Sequence, residues 1–317
     1  DKEDTRRKNL FLDKDGKIFF DRLYELGSKN SNIMILSADM DAFSLRKFSN
    51  DFPNQYLNVG VSEQNMINIA SGLALSGKIV FCYSIASFAT LRCLEQIKVN
   101  ICSMNLPVTI VGAGAGFSFG YDGPTHHGHQ DVSSMRLMPE MSIVELSSAD
   151  AAKNAVDYAI ESRRPCYIRL DKGPFPDWPD NKTDFSKGYR VLRPLTDVNF
   201  VSNGFILREA LSAADTLKGS GVNVGVIDLF RFKPFPESFL SEVLEPSQKV
   251  ISIEESCKTG GLGTALSEMI AQNDVNCSLK VIGAPDIQFI EYGERGWFHE
   301  KYGLSGRPLL DQINIFL

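Results

Sequence analysis

The sequence predicts two α/β domains with mostly parallel sheets flanked by helices, and three observations carry that expectation. Short β-branched runs alternate with helical patterns along the chain, the signature of strand–helix–strand units. The runs are almost continuously apolar rather than alternating, as strands covered on both faces must be. A proline-rich stretch interrupts the pattern past the middle, and 317 residues suffice for two domains.

In the first half, strand-like runs lie at 33–37, 79–83, 108–111, 142–146 and 166–170. Helical patterns fill about 16–28, 63–76, 88–104 and 149–162, the last opened by Ser148 as an N-cap. Asp13-Lys-Asp-Gly16 reads as a turn. Asp171-Lys-Gly-Pro-Phe-Pro-Asp-Trp-Pro-Asp180 can continue neither helix nor central strand, so it is expected to be a linker. In the second half, strands are expected at 198–201, 222–229, 249–253 and 279–282, and helices at about 205–219, 237–244, 262–273 and 308–315. Domains are therefore expected at residues 10–180 and 188–317.

Composition removes several classes of function. With 43% hydrophobic and 23% charged residues, the chain can bury ordinary cores. A net charge of −6 argues against a general grip on nucleic acid or an anionic membrane. The longest charge-free apolar stretch, 79–91, is shorter than the roughly 20 residues a membrane span needs. The first nine residues show no apolar signal region. Six scattered cysteines without a CxxC pair suit a reducing cytoplasm better than zinc or disulfides.

Four segments carry chemistry. In Asn58-Val-Gly-Val-Ser-Glu-Gln-Asn-Met, a strand end turns through Gly60 into a helix whose first turn holds Glu63. Read alone, Glu63 is an acid complementing the helix dipole. In 81–97, Tyr83 and Phe88 sit at a strand end and helix start, where they can pack a core or offer a flat wall to a ring. Gly120-Tyr-Asp-Gly-Pro-Thr-His-His-Gly-His-Gln-Asp131 is a polar loop with three of the four histidines. Cys166-Tyr-Ile-Arg-Leu-Asp-Lys172 ends a strand with Arg169 near the carboxyl edge, where open α/β sheets bind ligands. Two glycine strings are weaker signals. Gly112–Gly120 reads as a tight loop and not a dinucleotide site, and Gly260–Gly263 as helix packing in preference to an anion site.

Taken in order, VGVSEQNMINIASGLALSGK, LRCLEQI, DGPTHHGHQD and YIRLDK resemble the transketolase family of thiamine diphosphate enzymes. VIDLFRFKPF and VISIEESCKTGGLGTALSEMI are similar to that family's C-terminal domain. The resemblance implies a hydrogen bond from Glu63 to N1′ of the cofactor's aminopyrimidine, which promotes proton removal from the thiazolium. It implies Phe88 as the stacking ring with Tyr83 nearby, and Asp39 as the strand-end acid beside the cofactor. Asp122 and His126 would meet the donor sugar's hydroxyls and carbonyl, His126 moving protons near neutral pH. Arg169 would grip a terminal phosphate.

The family's Gly-Asp-Gly…Asn motif, which holds the diphosphate through Mg2+ or Ca2+, has no match in the sequence. The resemblance therefore points to the C-terminal subunit of a split transketolase, with that metal site on an N-terminal partner subunit, no metal ligand on this chain, and an α2β2 assembly. Where the family carries a phosphate-contacting His, a Glu before the Asp-Gly-Pro-Thr-His loop and a His after the catalytic Glu, this sequence has Gly114, Tyr121 and Gln64. An unusual or nucleotide-linked sugar is the expectation that follows. Rival readings are the β subunit of a 2-oxo acid decarboxylating enzyme, a deoxyxylulose-phosphate synthase-like enzyme, and a non-catalytic scaffold or regulatory subunit.

Overall fold

A computed structural model describes residues 14–171 and 184–317. Most of the expected linker, and the expected domain limits at 10 and 180, lie outside the described residues. The first half runs α1 (Lys14–Gly27), β1 (Ile33–Ser37), α2 (Phe43–Asp51), β2 (Tyr56–Asn58), α3 (Glu63–Leu75), β3 (Ile79–Ile85) and α4 (Ala86–Thr90). After α4 the chain continues to residue 104 through 3₁₀, α and π turns. It then forms β4 (Val108–Ala113), α5 (Asp131–Arg136), β5 (Ser142–Glu145), α6 (Ala149–Ser162) and β6 (Cys166–Leu170). The second half comprises β7 (Arg190–Arg193), β8 (Val198–Ser202), α7 (Leu207–Gly219), β9 (Gly225–Asp228), β10 (Arg231–Lys233) and α8 (Glu237–Phe239), which runs into a π turn at Leu240–Leu244. β11 (Lys249–Cys257), α9 (Leu262–Gln272), β12 (Ser278–Ala284), α10 (Arg295–Lys301) and α11 (Gly306–Phe316) complete it.

The expected strands and most of the expected helices are present, with ends shifted by a few residues. The helix expected at about 88–104 is instead broken into short α, 3₁₀ and π segments, and the one expected at 237–244 is a single α turn running into a π turn. The turn expected at 13–16 is instead the start of α1, from Lys14. Sequence patterning missed α2, α5, β7, β10 and α10, and caught only the end of β2. The missed strands span three or four residues, and α5 and α10 six or seven, too few to establish a period.

Two sheets result, ordered β10-β5-β6-β4-β3-β1-β2 and β12-β11-β8-β9-β7. Every pairing is parallel except β10 on β5 and β7 on β9. β10 belongs to the second half yet extends the first sheet, with Arg231 opposite Val144 and Lys233 opposite Ile143. One hydrophobic cluster accordingly joins Met135, Ile143 and Tyr167 to Val201, Ile227 and Phe232. Within β3 the side chains alternate. Val80 and Cys82 pack with Met66, Ile67 and Ala70 of α3, whereas Phe81 and Tyr83 pack with Phe19, Phe20 and Leu23 of α1. Among the described residues, no helix is long and apolar enough to cross a membrane.

Because β1, β2, β3, β4 and β6 are parallel, the segments that follow them all emerge at one sheet edge. Those segments hold Asp39, Glu63, Phe88, the loop 114–131 and Asp171.

Candidate active site

After β2, the Asn58 side chain organises the turn. Its Oδ1 accepts the N–H of Gly60 at 2.9 Å and that of Asp39 at 3.1 Å. Asp39 and Gly60 both take left-handed backbone, with φ of 55° and 72°. Asp39 keeps an exposed side chain at the sheet edge. The turn delivers Glu63 as the first residue of α3, and its side chain points inward, only 2% exposed. Oε2 accepts from Arg92 Nη1 at 2.8 Å, while Ser84 Oγ approaches Oε1 at 3.5 Å. The first-turn acid is thus a buried, paired carboxylate.

Arg92 also lies over the Phe88 ring, its guanidinium carbon 4.1 Å from the centroid. One helical turn separates these two residues, which explains the stacking. The half-buried Phe88 ring meets the His126 ring edge-on at 5.0 Å. Glu63, Arg92, Phe88 and His126 therefore form one continuous chain of contacts. Tyr83 is not part of it. It is 5% exposed and set edge-on to Phe20 at 4.8 Å, on the other face of the sheet.

The loop 114–131 divides its histidines. His126 is half-buried, with Nδ1 2.9 Å from Thr125 Oγ1, and Ser87 Oγ ties the loop to α4 by donating to Thr125 O at 2.9 Å. Asp122 is exposed beside it. His127 and His129 are buried among Phe117, Phe289 and Phe298. Burial lowers both, His129 to about 3, so His129 is a neutral core residue. Among the described residues no group of three or more His, Cys, Asp or Glu is arranged to hold a metal.

Arg169 requires a correction. It is 1% exposed, and all five N–H donors have internal acceptors. Nε donates to Asp131 Oδ2 at 2.8 Å, and Nη1 to Glu145 Oε1 at 2.8 Å and Ser256 Oγ at 3.0 Å. Nη2 donates to Asp131 Oδ1 at 3.1 Å and to the Gly128 carbonyl. No donor remains for a phosphate, because the strand directs this side chain into the body of the molecule and not toward its edge.

At Gly260–Gly263 the helix end is already satisfied. Glu254 accepts the N–H groups of Leu262 at 2.7 Å and Gly263 at 2.8 Å, filling the place an anion would take.

The carboxylate and the ring fit the pyrimidine half of the family's cofactor: Glu63 supplies a buried acid with one weakly engaged oxygen, and Phe88 an apolar face. Sequence reasoning passed over Arg92, Ser84 and Asn58. Arg92 carried one faint signal, its position four residues after Phe88.

The family model of the transketolase pyrimidine-binding domain matches residues 16–176, and that of the transketolase C-terminal domain matches residues 188–307. The chain belongs to the transketolase family. A putative transketolase C-terminal section from Methanocaldococcus jannaschii is 32% identical over 303 residues, 94% of each chain. A 6-deoxy-6-sulfo-D-fructose transketolase subunit from a Clostridium species is 33% identical over 294 residues, 92% of this chain and 91% of the relative. The solved structure of a split gene transketolase, an inactive beta4 tetramer, matches with a TM-score of 0.82 at 31% identity, covering 94% of this chain and 96% of the other. Membership in the transketolase family implies thiamine diphosphate-dependent group transfer.

Proposed function

We propose that this chain is the pyrimidine-binding and C-terminal subunit of a split transketolase that moves a two-carbon ketol unit from a ketose to an aldose. The buried Glu63 carboxylate, set at the sheet's carboxyl edge and joined through Arg92 and Phe88 to His126, carries the reading. Thiamine diphosphate, when bound, supplies the nucleophilic thiazolium carbon. Glu63 holds the pyrimidine's ring nitrogen and shares a proton there. Phe88 gives the ring its apolar wall, and Asp39 lines the same edge. Asp122 meets sugar hydroxyls, and His126 carries protons to and from the sugar oxygens.

An N-terminal subunit brings the diphosphate site and its Mg2+ or Ca2+, so the active site forms in the seam of an α2β2 assembly. Relatives named as a subunit and as a C-terminal section support this division. Six free thiols, five of them buried, suit the cytoplasm. The substrate is a sugar other than the ordinary pentose phosphates. Gly114 and Tyr121 replace the residues the resemblance expects, Arg169 is engaged internally, and the Clostridium relative is named for a sulfonated ketose.

The test is reconstitution with the N-terminal subunit, a screen of ketoses and 2-oxo acids, and then Glu63→Gln. The glutamine variant should assemble and lose at least about a hundredfold in turnover. Undiminished turnover would show the reading of Glu63 to be wrong, and a scaffold would keep its function in the variant.

A further inference from the structure

One group of buried charged residues that the proposed chemistry leaves unused converges on the end of β11. Glu255 is 2% exposed, and its carboxylate accepts the Phe117 N–H at 2.9 Å and Arg295 Nε at 2.8 Å, with His299 Nε2 at 2.9 Å. Burial alone would raise this carboxyl, but Arg295 and then His299 hold it well below the usual carboxylate range. Arg295 reaches on to Asp171, at 2.9 and 2.6 Å, just beyond β6. The backbone of the same strand end also contacts the loop. Glu255 O accepts from His129 Nδ1 at 3.0 Å, and the Cys257 N–H donates to His129 O at 3.0 Å.

These contacts fall on the two feet of the loop that carries Asp122 and His126. The feet are clasped to each other, Gly116 and Gly128 exchanging backbone hydrogen bonds of 2.8 and 2.9 Å. Gly116, at φ 54°, passes so close to the Glu255 side chain that an added Cβ would collide with it. Nearer the tip, the Gly293 N–H donates to Gly120 O at 3.1 Å. Between its feet the loop has no strand or helix of its own, so its order must come from what it rests on.

We propose that the C-terminal half is the positioning device for the substrate loop, with Glu255 the positioning residue: it pins Phe117 and, through β11, His129, and thereby places Asp122 and His126. This rests on the loop's role proposed above. It gives a catalytic purpose to a half of the chain that supplies none of the proposed reacting groups.

The test compares Glu255→Gln, Arg295→Lys and His126→Ala in the assembled enzyme, by hydrogen exchange and steady-state kinetics. Glu255→Gln keeps the shape and weakens the ties. Amides of 117–129 should exchange about tenfold faster, with β8 and β12 unchanged. The ketose kcat/KM should fall ten- to a hundredfold, about the cost of an ångström's misplacement, with thiamine diphosphate affinity within about twofold of wild type. Arg295→Lys, which loses the forked contact to Glu255 and Asp171, should change the same readouts in the same direction and serves where the glutamine variant fails to assemble. Unchanged loop exchange, or acceleration spread through both sheets, would overturn the proposal. If His126→Ala keeps wild-type turnover, the role assigned to the loop is at fault. If His126→Ala is inactive while Glu255→Gln matches wild type, the positioning claim is at fault.

Discussion

At the scale of single residues, the Glu63–Arg92 pair decides how the acid is presented. Glu63 is enclosed while the Arg92 side chain is 42% exposed, so solvent screens part of the attraction. What Arg92 adds is geometry: one planar group holds Oε2 and covers one face of Phe88. Arg92→Ala should weaken thiamine diphosphate binding to the assembled enzyme about tenfold, close to 1.4 kcal/mol, measured by calorimetric titration. Lysine should restore only part, since it keeps the charge and loses the plane. An alanine variant that binds as wild type does would remove Arg92 from the site. Tyr83→Phe offers a contrast. Its ring is core against Phe20, so cofactor affinity should not change, and a tenfold loss would place Tyr83 back beside the pyrimidine.

At the scale of elements, buried titratable groups tie segments together and make their junctions pH-sensitive. His129 anchors the substrate loop to β11 with its folded pKa lowered from 6.5 to about 3, chiefly by burial. A depressed group contributes stability that is present above its unfolded pKa and lost as pH falls through the folded one. The His129 contribution therefore drains between pH 6.5 and about 3, by up to about 1.4 kcal/mol per pH unit. Glu145 and Glu254, raised by burial to about 7 and about 8, act in the opposite sense and favour the fold as pH falls toward 4.5. The net curve mixes these contributions, but a difference isolates one of them. His129→Asn keeps a donor toward Glu255 O, and its stability relative to wild type should climb steadily from pH 6.5 to 4.5. Urea titrations at several pH values measure this, and parallel curves would refute it.

For the whole molecule, the Arg169 network locks the halves together. Its guanidinium joins Asp131 and Glu145 of the first half to Ser256 of the second, while β10 crosses over to extend the first sheet. Removing one member of a buried ion network strands the others, at a cost of about 3–5 kcal/mol. Arg169→Met should therefore lower the denaturation midpoint of the isolated chain sharply. A phosphate clamp would behave otherwise, with stability kept and KM raised for phosphorylated sugars alone, and that outcome would reverse the assignment.

Local periodicity made the two-sheet α/β architecture legible, because a strand covered on both faces and an amphipathic helix each write their pattern into a few neighbouring residues. Glu63, Phe88, Asp122 and His126 were legible as strings at strand ends, and the parallel sheet brings those ends to one edge. Tyr83 was misplaced because alternation along β3 turns it away from Ser84 and Glu63, and a slip of one residue exchanges the faces. The internal engagement of Arg169 and the burial of His127 and His129 were not legible because their partners are far off in sequence. Ser256 lies 87 residues from Arg169, and Glu255 lies 126 from His129 and 138 from Phe117. A residue's chemistry is written in its own side chain. Whether its donors are open to a ligand or spent on the interior depends on distant groups that only the folded chain brings within hydrogen-bonding reach.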